Sequence, residues 1–227
     1  SGSFTVKNYV YLFHSEDLRS MIFGTLILAV IVAVISTILG TLGAIGAFYS
    51  SKKLKRPIHL MNQIPVVNAD VVTGFSICVL LIVFFKMDKA SYIPLVIGLV
   101  SLCSPFVYLS VIPRLKQMDP QLYEAALDLG CSSFGALRKV VLPQLTSGIV
   151  SGFMMSITLT LDDYFITTYT KPSMFDTIST YVVNATKGAQ TDVKTALWAL
   201  STIIFLIVIF VVIGMNHTGR KENDHEI

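Results

Sequence analysis

The sequence predicts an all-α, polytopic transmembrane helical bundle. Of its 227 residues, 53% are hydrophobic and only 14% are charged, and the mean hydropathy is +0.70. Five long runs contain no Asp, Glu, Lys or Arg, namely residues 20–51, 71–85, 90–113, 140–161 and 195–219. A helix that crosses a bilayer needs about 20 mostly apolar residues. Composition and run length therefore exclude the soluble globular class.

The apolar runs predict five membrane spans within one transmembrane domain that covers residues 1–227. We expect these spans at about 22–48, 65–85, 93–112, 148–168 and 196–215. The second run is short, so its span must also contain Asn68 and Asp70 near one end. The first run is too long for the core of a signal peptide. Trp198, Tyr92 and Tyr108 lie at span ends, where aromatic side chains anchor helices at the membrane surface.

The lysines and arginines of the loops predict the orientation of the bundle. The loops on one side carry ten of these residues, concentrated beside span ends, and the loops on the other side carry seven that are more dispersed. Cytosolic loops of membrane proteins are richer in Lys and Arg. The side with ten charges is therefore predicted to be cytosolic, and it includes the loop 114–147 between the third and fourth spans. The net charge of +3 gives no reason to expect a nucleic acid as a partner.

The cytosolic loop is predicted to form two short helices. Asp119 is a good cap for the first helix, Gly130 can end it, and Ser132 or Ser133 can cap a second helix that runs to Pro143. These residue types satisfy the backbone groups that helix ends leave without partners.

The first of these helices carries features of a docking surface. Ala125, Ala126 and Leu129 are predicted to lie on or beside one small apolar face, and Glu124 and Asp128 form an acidic row at spacing i, i+4. Small apolar residues bordered by carboxylates suit the groove of a partner protein. The alternative is an amphipathic cytosolic loop with no partner.

The same loop resembles the EAA loop of ABC importer permeases, whose pattern is EAA, three residues, Gly, nine residues, then Ile-x-Leu-Pro. Six of its seven fixed positions match, and Val140 replaces Ile. The resemblance implies the fold of a type I importer permease, in which this loop is the coupling helix that docks into a cytosolic ATPase subunit. The ATPase-coupling residues that it implies are Glu124, Ala125, Ala126, Gly130, Leu142 and Pro143.

The chain lacks the phosphate-binding loop of an ATPase. Gly130 and Gly135 have the required spacing, but Ala136 and Leu137 follow where Lys and Ser or Thr are needed. We therefore expect a chain that is not an enzyme and has no cofactor of its own, with ATP and Mg bound by a partner ATPase. No Cys/His spacing indicates a metal site, and the three cysteines show no disulfide pattern.

The fourth span contains a polar stripe. Its members follow one another at steps of four, three, four and three residues, which places them on one face of a helix: Ser156, Thr160, Asp163, Thr167 and Thr170. Burial of a carboxylate at the centre of a bilayer costs about 2.5–3.5 kcal/mol on insertion scales. The stripe must therefore face protein or a water-filled path.

Two readings of the neighbouring aspartates remain open. Asp162 lies about 100° round the helix from Asp163, so both face a pore only if the helix breaks there or lies near the pore axis. With the aromatic ring of Tyr164 they would form an anionic lining for a positively charged solute. In the other reading one Asp caps the helix end and its neighbour binds loop backbone. Asp70 lines the inner gate or, alternatively, caps a helix or makes a polar contact between helices.

The segment 159–183 resembles the S-L-D-D stretch and following outer segment of the spermidine/putrescine permeases, with Thr160 in place of Ser. This resemblance extends over essentially the whole chain. It implies a substrate path that includes Asp70, Thr160, Asp162 and Asp163, to which we add Tyr164 and Thr167.

The resemblance also implies a place in an assembly. The expected partners are a second, homologous permease subunit, two cytosolic ATPase subunits and an extracytoplasmic substrate-binding protein, in the bacterial cytoplasmic membrane. The implied function is ATP-driven polyamine import by alternating access. The alternatives are an importer permease for another small solute and an ion-coupled secondary transporter, which needs no docking loop.

Two expectations concern the outer side of the chain. With five spans and a cytosolic C-terminus, residue 1 lies outside, whereas relatives of this type have six spans; we therefore expect one further N-terminal span to precede this sequence. The alternative is a native outer N-terminus. The stretch 176–194 is long enough to form a short helix on the outer surface.

Overall fold

The computed structural model describes residues 16–50, 57–58, 60, 62, 70–88, 90–119, 121–187, 202, 206, 209–210 and 213. Throughout these ranges the regular structure is helical, and they contain no strand. The helices are α1 (Glu16–Tyr49), α2 (Asp70–Cys78, continued by a π-helical segment Val79–Phe84), α3 (Ile93–Gln117), α4 (Gln121–Asp128), α5 (Ser133–Gln144), α6 (Thr146–Asp162), α7 (Phe165–Thr170) and α8 (Ile178–Lys187). The predicted all-α class is confirmed.

Among the described residues, two helices have the length and apolar character needed to cross a membrane by themselves, α1 and α3. A third span is possible if α5 and α6, which meet at a bend of 70°, are counted as one broken span. The helix α2 is apolar but shorter. The predicted spans 22–48 and 93–112 thus correspond to α1 and α3, whereas most of the predicted span 196–215 and residues 65–69 of the second span lie outside the described residues.

The centre of the bundle is the packing of α1, α3 and α6 against one another. Glycines allow the close approach, because a Cβ added to Gly40 of α1 would lie 2.6 Å from Cβ of Val107, and one added to Gly152 of α6 would lie 3.0 Å from Cγ1 of the same valine. Small residues of this kind let helix backbones come together inside a membrane.

Two buried clusters hold the two ends of the bundle. Towards the predicted outer end, Leu28 and Val32 of α1 pack with Leu99 and Cys103 of α3 and with Ile166 of α7. The cluster towards the predicted cytosolic end includes Tyr108, so this tyrosine is a core residue and its prediction as an interfacial anchor is wrong. The α3 helix continues through position 108 to Gln117, which moves the helix end away from it.

The fourth predicted span, 148–168, is not one continuous helix. The helix α6 ends at Asp162, Asp163 has extended backbone angles (φ −66°, ψ 122°), and α7 begins at Phe165. After the break α7 packs mainly against α2 and α3. The contact with α2 is close, since a Cβ on Gly74 would lie 3.1 Å from the backbone N of Ile166.

Candidate functional site

Side chains cap both helices of the cytosolic loop. Oδ1 of Asp119 accepts a hydrogen bond from the backbone N–H of Gln121 at 2.9 Å, at the start of α4. Oγ of Ser132 accepts from the N–H of Gly135 at 3.2 Å, at the start of α5. Asp119 is therefore a cap as predicted, and of the two serines that were considered Ser132 is the cap.

A glycine turn joins the two helices. Gly130 has a φ of +87°, the left-handed conformation that favours glycine. Its N–H donates to the carbonyl of Leu127 at 2.9 Å, and the N–H of Cys131 donates to the carbonyl of Ala126 at 3.0 Å. This pair of bonds is the Schellman arrangement that ends many helices. It confirms that Gly130 stops the first helix.

The outward side of α4 and of the turn after it is rich in exposed apolar residues. Together with the exposed Glu124 and with Phe134 at the start of α5, they form what we call the coupling surface: Leu122, Glu124, Ala125, Leu129 and Phe134. Leu129 is 87% exposed, whereas Ala126 is only 6% exposed and faces the interior. Ala126 therefore does not share the exposed face with Ala125, because successive helix residues point about 100° apart. Leu122 and Phe134 were not among the residues predicted from the sequence. Their signal is that they are apolar residues within a charged loop.

The second loop helix is anchored in the bundle. Val141 and Leu145 are fully buried in the cluster at the cytosolic end, together with Val111 and Leu115 of α3. Leu142 and Pro143 of the EAA pattern are exposed. One side of α5 is thus held by the membrane helices while the other side remains accessible.

The junction with α6 fixes the loop further. A Cβ on Gly148, in the first turn of α6, would lie 2.9 Å from Cγ of Arg114 and 3.0 Å from the carbonyl O of Ser110, both on α3. Such contact leaves little room for α6 to slide along α3. The end of the loop is therefore packed closely against α3 where α6 begins.

The polar stripe of the fourth span is buried within this chain. Each of its five members is at most 8% exposed, and Asp163 has the largest value. Oγ1 of Thr160 lies 3.6 Å from Sγ of Cys103 on α3. Within the described residues the stripe therefore faces protein, one of the two environments that the sequence allows.

The two neighbouring aspartates have opposite environments. Asp163 is buried, and its Oδ2 accepts hydrogen bonds from the backbone N–H and from Oγ1 of Thr167, both at 2.8 Å. Asp162 is exposed, and its backbone carbonyl accepts from Oγ of Ser179 at 3.2 Å. The helix break thus turns the carboxylates apart, with Asp163 acting as a cap for α7 and Asp162 accessible.

The other predicted substrate-path residues lie at different depths. Tyr164 is half-buried at the break, while Thr160 and Thr167 are buried. Asp70 is the first residue of α2, and its side chain lies outside the described part of the chain. The described contacts therefore bring Asp163 and Thr167 together but do not join Asp70 to them.

A loop between α7 and α8 lies at the predicted outer end, and its contact between Lys171 and Asp176 was not predicted from the sequence. Nζ of Lys171 donates to Oδ1 of Asp176 at 2.6 Å and to the carbonyl O of Phe175 at 2.8 Å. The helix predicted within 176–194 is present as α8. Its first backbone N–H, that of Ile178, donates to Oγ1 of Thr25 on α1 at 3.2 Å.

Apolar helices of membrane length, joined by a capped helical loop with an exposed apolar surface, define an integral membrane protein. The chain belongs to the family of binding-protein-dependent transport system inner membrane components, which matches residues 37–218. It is therefore an inner membrane component of such a transport system.

Curated relatives are similar along nearly the whole chain. The spermidine/putrescine transport system permease protein PotC of Escherichia coli (strain K12) is 28% identical over 221 residues, which cover 96% of this chain and 81% of the relative. The putrescine transport system permease protein PotI of the same strain is 28% identical over 216 residues, covering 89% and 73%. The predicted resemblance to the spermidine/putrescine permeases is confirmed by these relatives.

A solved structure supports the fold. A crystal structure of a bacterial alginate ABC transporter, in complex with an alginate pentasaccharide-bound periplasmic protein, superposes with a TM-score of 0.73 at 18% identity. The match covers 96% of this chain and 83% of that one. At this identity the similarity establishes the fold alone.

Proposed function

We propose that this chain is the permease subunit of an ATP-driven importer that moves polyamines, spermidine or putrescine, into the bacterial cytoplasm by alternating access. The observation that carries the proposal is the coupling surface, an exposed apolar surface on a loop whose other side is buried in the bundle. The identities of 28% with PotC and PotI support polyamines as the substrate class.

In this proposal a partner supplies the energy. Two cytosolic ATPase subunits bind ATP and Mg, and one of them receives the coupling surface. Leu129 enters an apolar groove, and Glu124 pairs with a cation on the rim of that groove. Closure of the ATPase pair moves α4 and α5, and the buried residues Val141 and Leu145 transmit the movement to α3 and α6.

The substrate passes between this chain and a second, homologous permease subunit. The exposed carboxylate of Asp162 is the main contact for a polycation, and Tyr164 beside it adds an aromatic face. Asp163, Thr160 and Thr167 act behind them by holding the break between α6 and α7. Asp70 lines the path at the inner gate, and an extracytoplasmic binding protein delivers the substrate at the outer end.

Uptake into proteoliposomes tests the proposal. The chain is reconstituted with its partner subunits and binding protein, and radiolabelled spermidine, putrescine, an amino acid and an inorganic anion are offered in turn. We expect polyamine uptake that requires ATP and is insensitive to ionophores. Uptake that ionophores abolish and that needs no ATP would instead show an ion-coupled secondary transporter. ATP-dependent uptake of another solute alone would refute the polyamine assignment.

A further inference from the structure

The outer loop between α7 and α8 holds an ammonium group in a defined cage. Nζ of Lys171 lies 2.6 Å from Oδ1 of Asp176 and 2.8 Å from the carbonyl O of Phe175. The side chain of Lys171 is 15% exposed and that of Asp176 is 45% exposed. The ammonium group is thus largely covered, while the carboxylate that binds it remains accessible from outside.

This cage has the chemistry that a free primary ammonium requires. An ammonium group has three N–H donors and no acceptor, and a carboxylate together with a carbonyl oxygen provides strong, charge-assisted acceptors. Oγ1 of Thr180 on α8 lies 3.3 Å from the same Oδ1 of Asp176, and its nearer acceptor is the carbonyl O of Thr177 at 3.0 Å. The same acceptor oxygens suit a primary ammonium group that belongs to a separate molecule.

The position of the cage connects it to the proposed substrate path. The carboxylate of Asp176 lies beside Thr180, and the backbone carbonyl of Asp162 accepts a hydrogen bond from the preceding residue, Ser179. Two exposed or half-exposed aspartates therefore border the first turn of α8. A diamine or triamine has ammonium groups at both ends and needs more than one such acceptor.

The cage also ties the outer elements together. Phe175 packs against α1, since a Cβ on Gly24 would lie 3.1 Å from its ring, and its ring centroid lies 5.3 Å from that of Tyr92 at the start of α3. The backbone N–H of Lys171 donates to the carbonyl of Thr167 at 2.9 Å, the residue that Asp163 caps. Release of Lys171 from Asp176 would therefore loosen the link between the helix break and α8.

We propose that the carboxylate of Asp176 and the carbonyl of Phe175 form a binding site for a primary ammonium group at the outer end of the bundle, that Lys171 occupies this site in the resting protein, and that the leading ammonium group of a polyamine replaces it. The identity of the solute rests on the proposed function. Lys171 is then an internal competitor, and its removal makes the site available at lower polyamine concentrations.

Equilibrium binding of radiolabelled putrescine to the assembled transporter in lipid nanodiscs, without ATP, tests this site. We expect Lys171→Met to bind putrescine at least about tenfold more tightly than the wild type, because a tethered competitor acts at a millimolar effective concentration. The double variant Lys171→Met with Asp176→Asn should lose this gain. Cooperative unfolding on heating checks that Lys171→Met is folded. If this variant fails the check, Lys171→Gln replaces it, and the same gain in putrescine affinity is expected.

Two controls separate the site from general electrostatics. Lys86→Met removes another exposed lysine predicted to lie on the outer side, and it should leave putrescine affinity unchanged. A diamine with both nitrogens fully methylated keeps its charge but has no N–H donor, so it should show no gain with Lys171→Met. Equal gains in either control would overturn the proposal.

These experiments also distinguish failure of the ammonium site from failure of the proposed function. Wild-type uptake of putrescine together with unchanged affinity in Lys171→Met would refute the ammonium site and leave polyamine import standing. An Asp176-dependent gain in a transporter that does not take up polyamines would keep the site and refute the substrate assignment.

Discussion

Asp162 and Asp163 show how one helix break gives neighbouring residues of the same type different roles. The buried carboxylate accepts two hydrogen bonds from Thr167, whereas its neighbour is exposed. Replacement of Asp163 should change the stability of the protein, and replacement of Asp162 should change transport.

Asp163→Ala removes the cap of α7 and leaves the N–H and hydroxyl of Thr167 without their acceptor. Loss of a helix cap costs about 0.5–2 kcal/mol in the free energy of unfolding. We therefore expect a lower thermal unfolding temperature in detergent, and a smaller loss for Asp163→Asn, which keeps an acceptor oxygen. Asp162→Ala is the matched control, and an equal decrease with this variant would show that Asp163 has no special role as a cap.

Asp162→Asn removes an exposed negative charge and keeps the shape of the side chain. We expect a decrease of at least about tenfold in polyamine uptake per transporter, since one ion pair with a cation that is partly desolvated contributes on the order of 1.4 kcal/mol or more. The thermal unfolding temperature should remain that of the wild type. Full uptake in this variant would remove Asp162 from the substrate path.

At the scale of elements, the helix ends of the cytosolic loop were predictable because they are local. Asp119 and Ser132 cap helices through backbone groups two and three residues away, and Gly130 has the φ of +87° that its position in the turn requires. None of these features depends on a distant part of the chain.

The break after Asp162 was only one of the possibilities that the sequence left open. Its cause is partly local, in the bonds from Asp163 to Thr167, and partly distant, in the packing of α7 against α2 around Gly74 and Ile166. Periodicity alone cannot show this, because the polar stripe continues in step through the break. The burial of Tyr108 likewise depends on neighbours that are distant in sequence.

Gly130→Ala tests the turn between α4 and α5. A Cβ at this position meets no atom within 4 Å, so the effect should come from the backbone alone. An L-residue in the left-handed conformation costs about 1–2 kcal/mol. We expect a matching loss in the free energy of unfolding and weaker co-purification of the ATPase. Gly46→Ala, in open space within α1, is the control and should be neutral or slightly stabilising; equal behaviour of the two variants would contradict this account of the turn.

At the scale of the whole molecule, the bundle connects two surfaces. The coupling surface lies on a loop whose α5 is buried against α3, and the outer loop is tied to α1, α3 and α6 through Thr25, Phe175 and Ser179. The same three central helices are therefore in contact with both ends. This arrangement suits a protein in which a movement at the coupling surface changes the conformation of the outer loop.

The most direct test of the central claim is co-purification of the ATPase with two matched variants of the chain. Leu129→Arg places a charge in the coupling surface, whereas Met174→Arg places the same charge at a fully exposed apolar residue of the outer loop. We predict that Leu129→Arg loses the ATPase and its transport-stimulated hydrolysis, while Met174→Arg retains both at wild-type levels. Wild-type recovery and stimulation of the ATPase with Leu129→Arg would contradict the account.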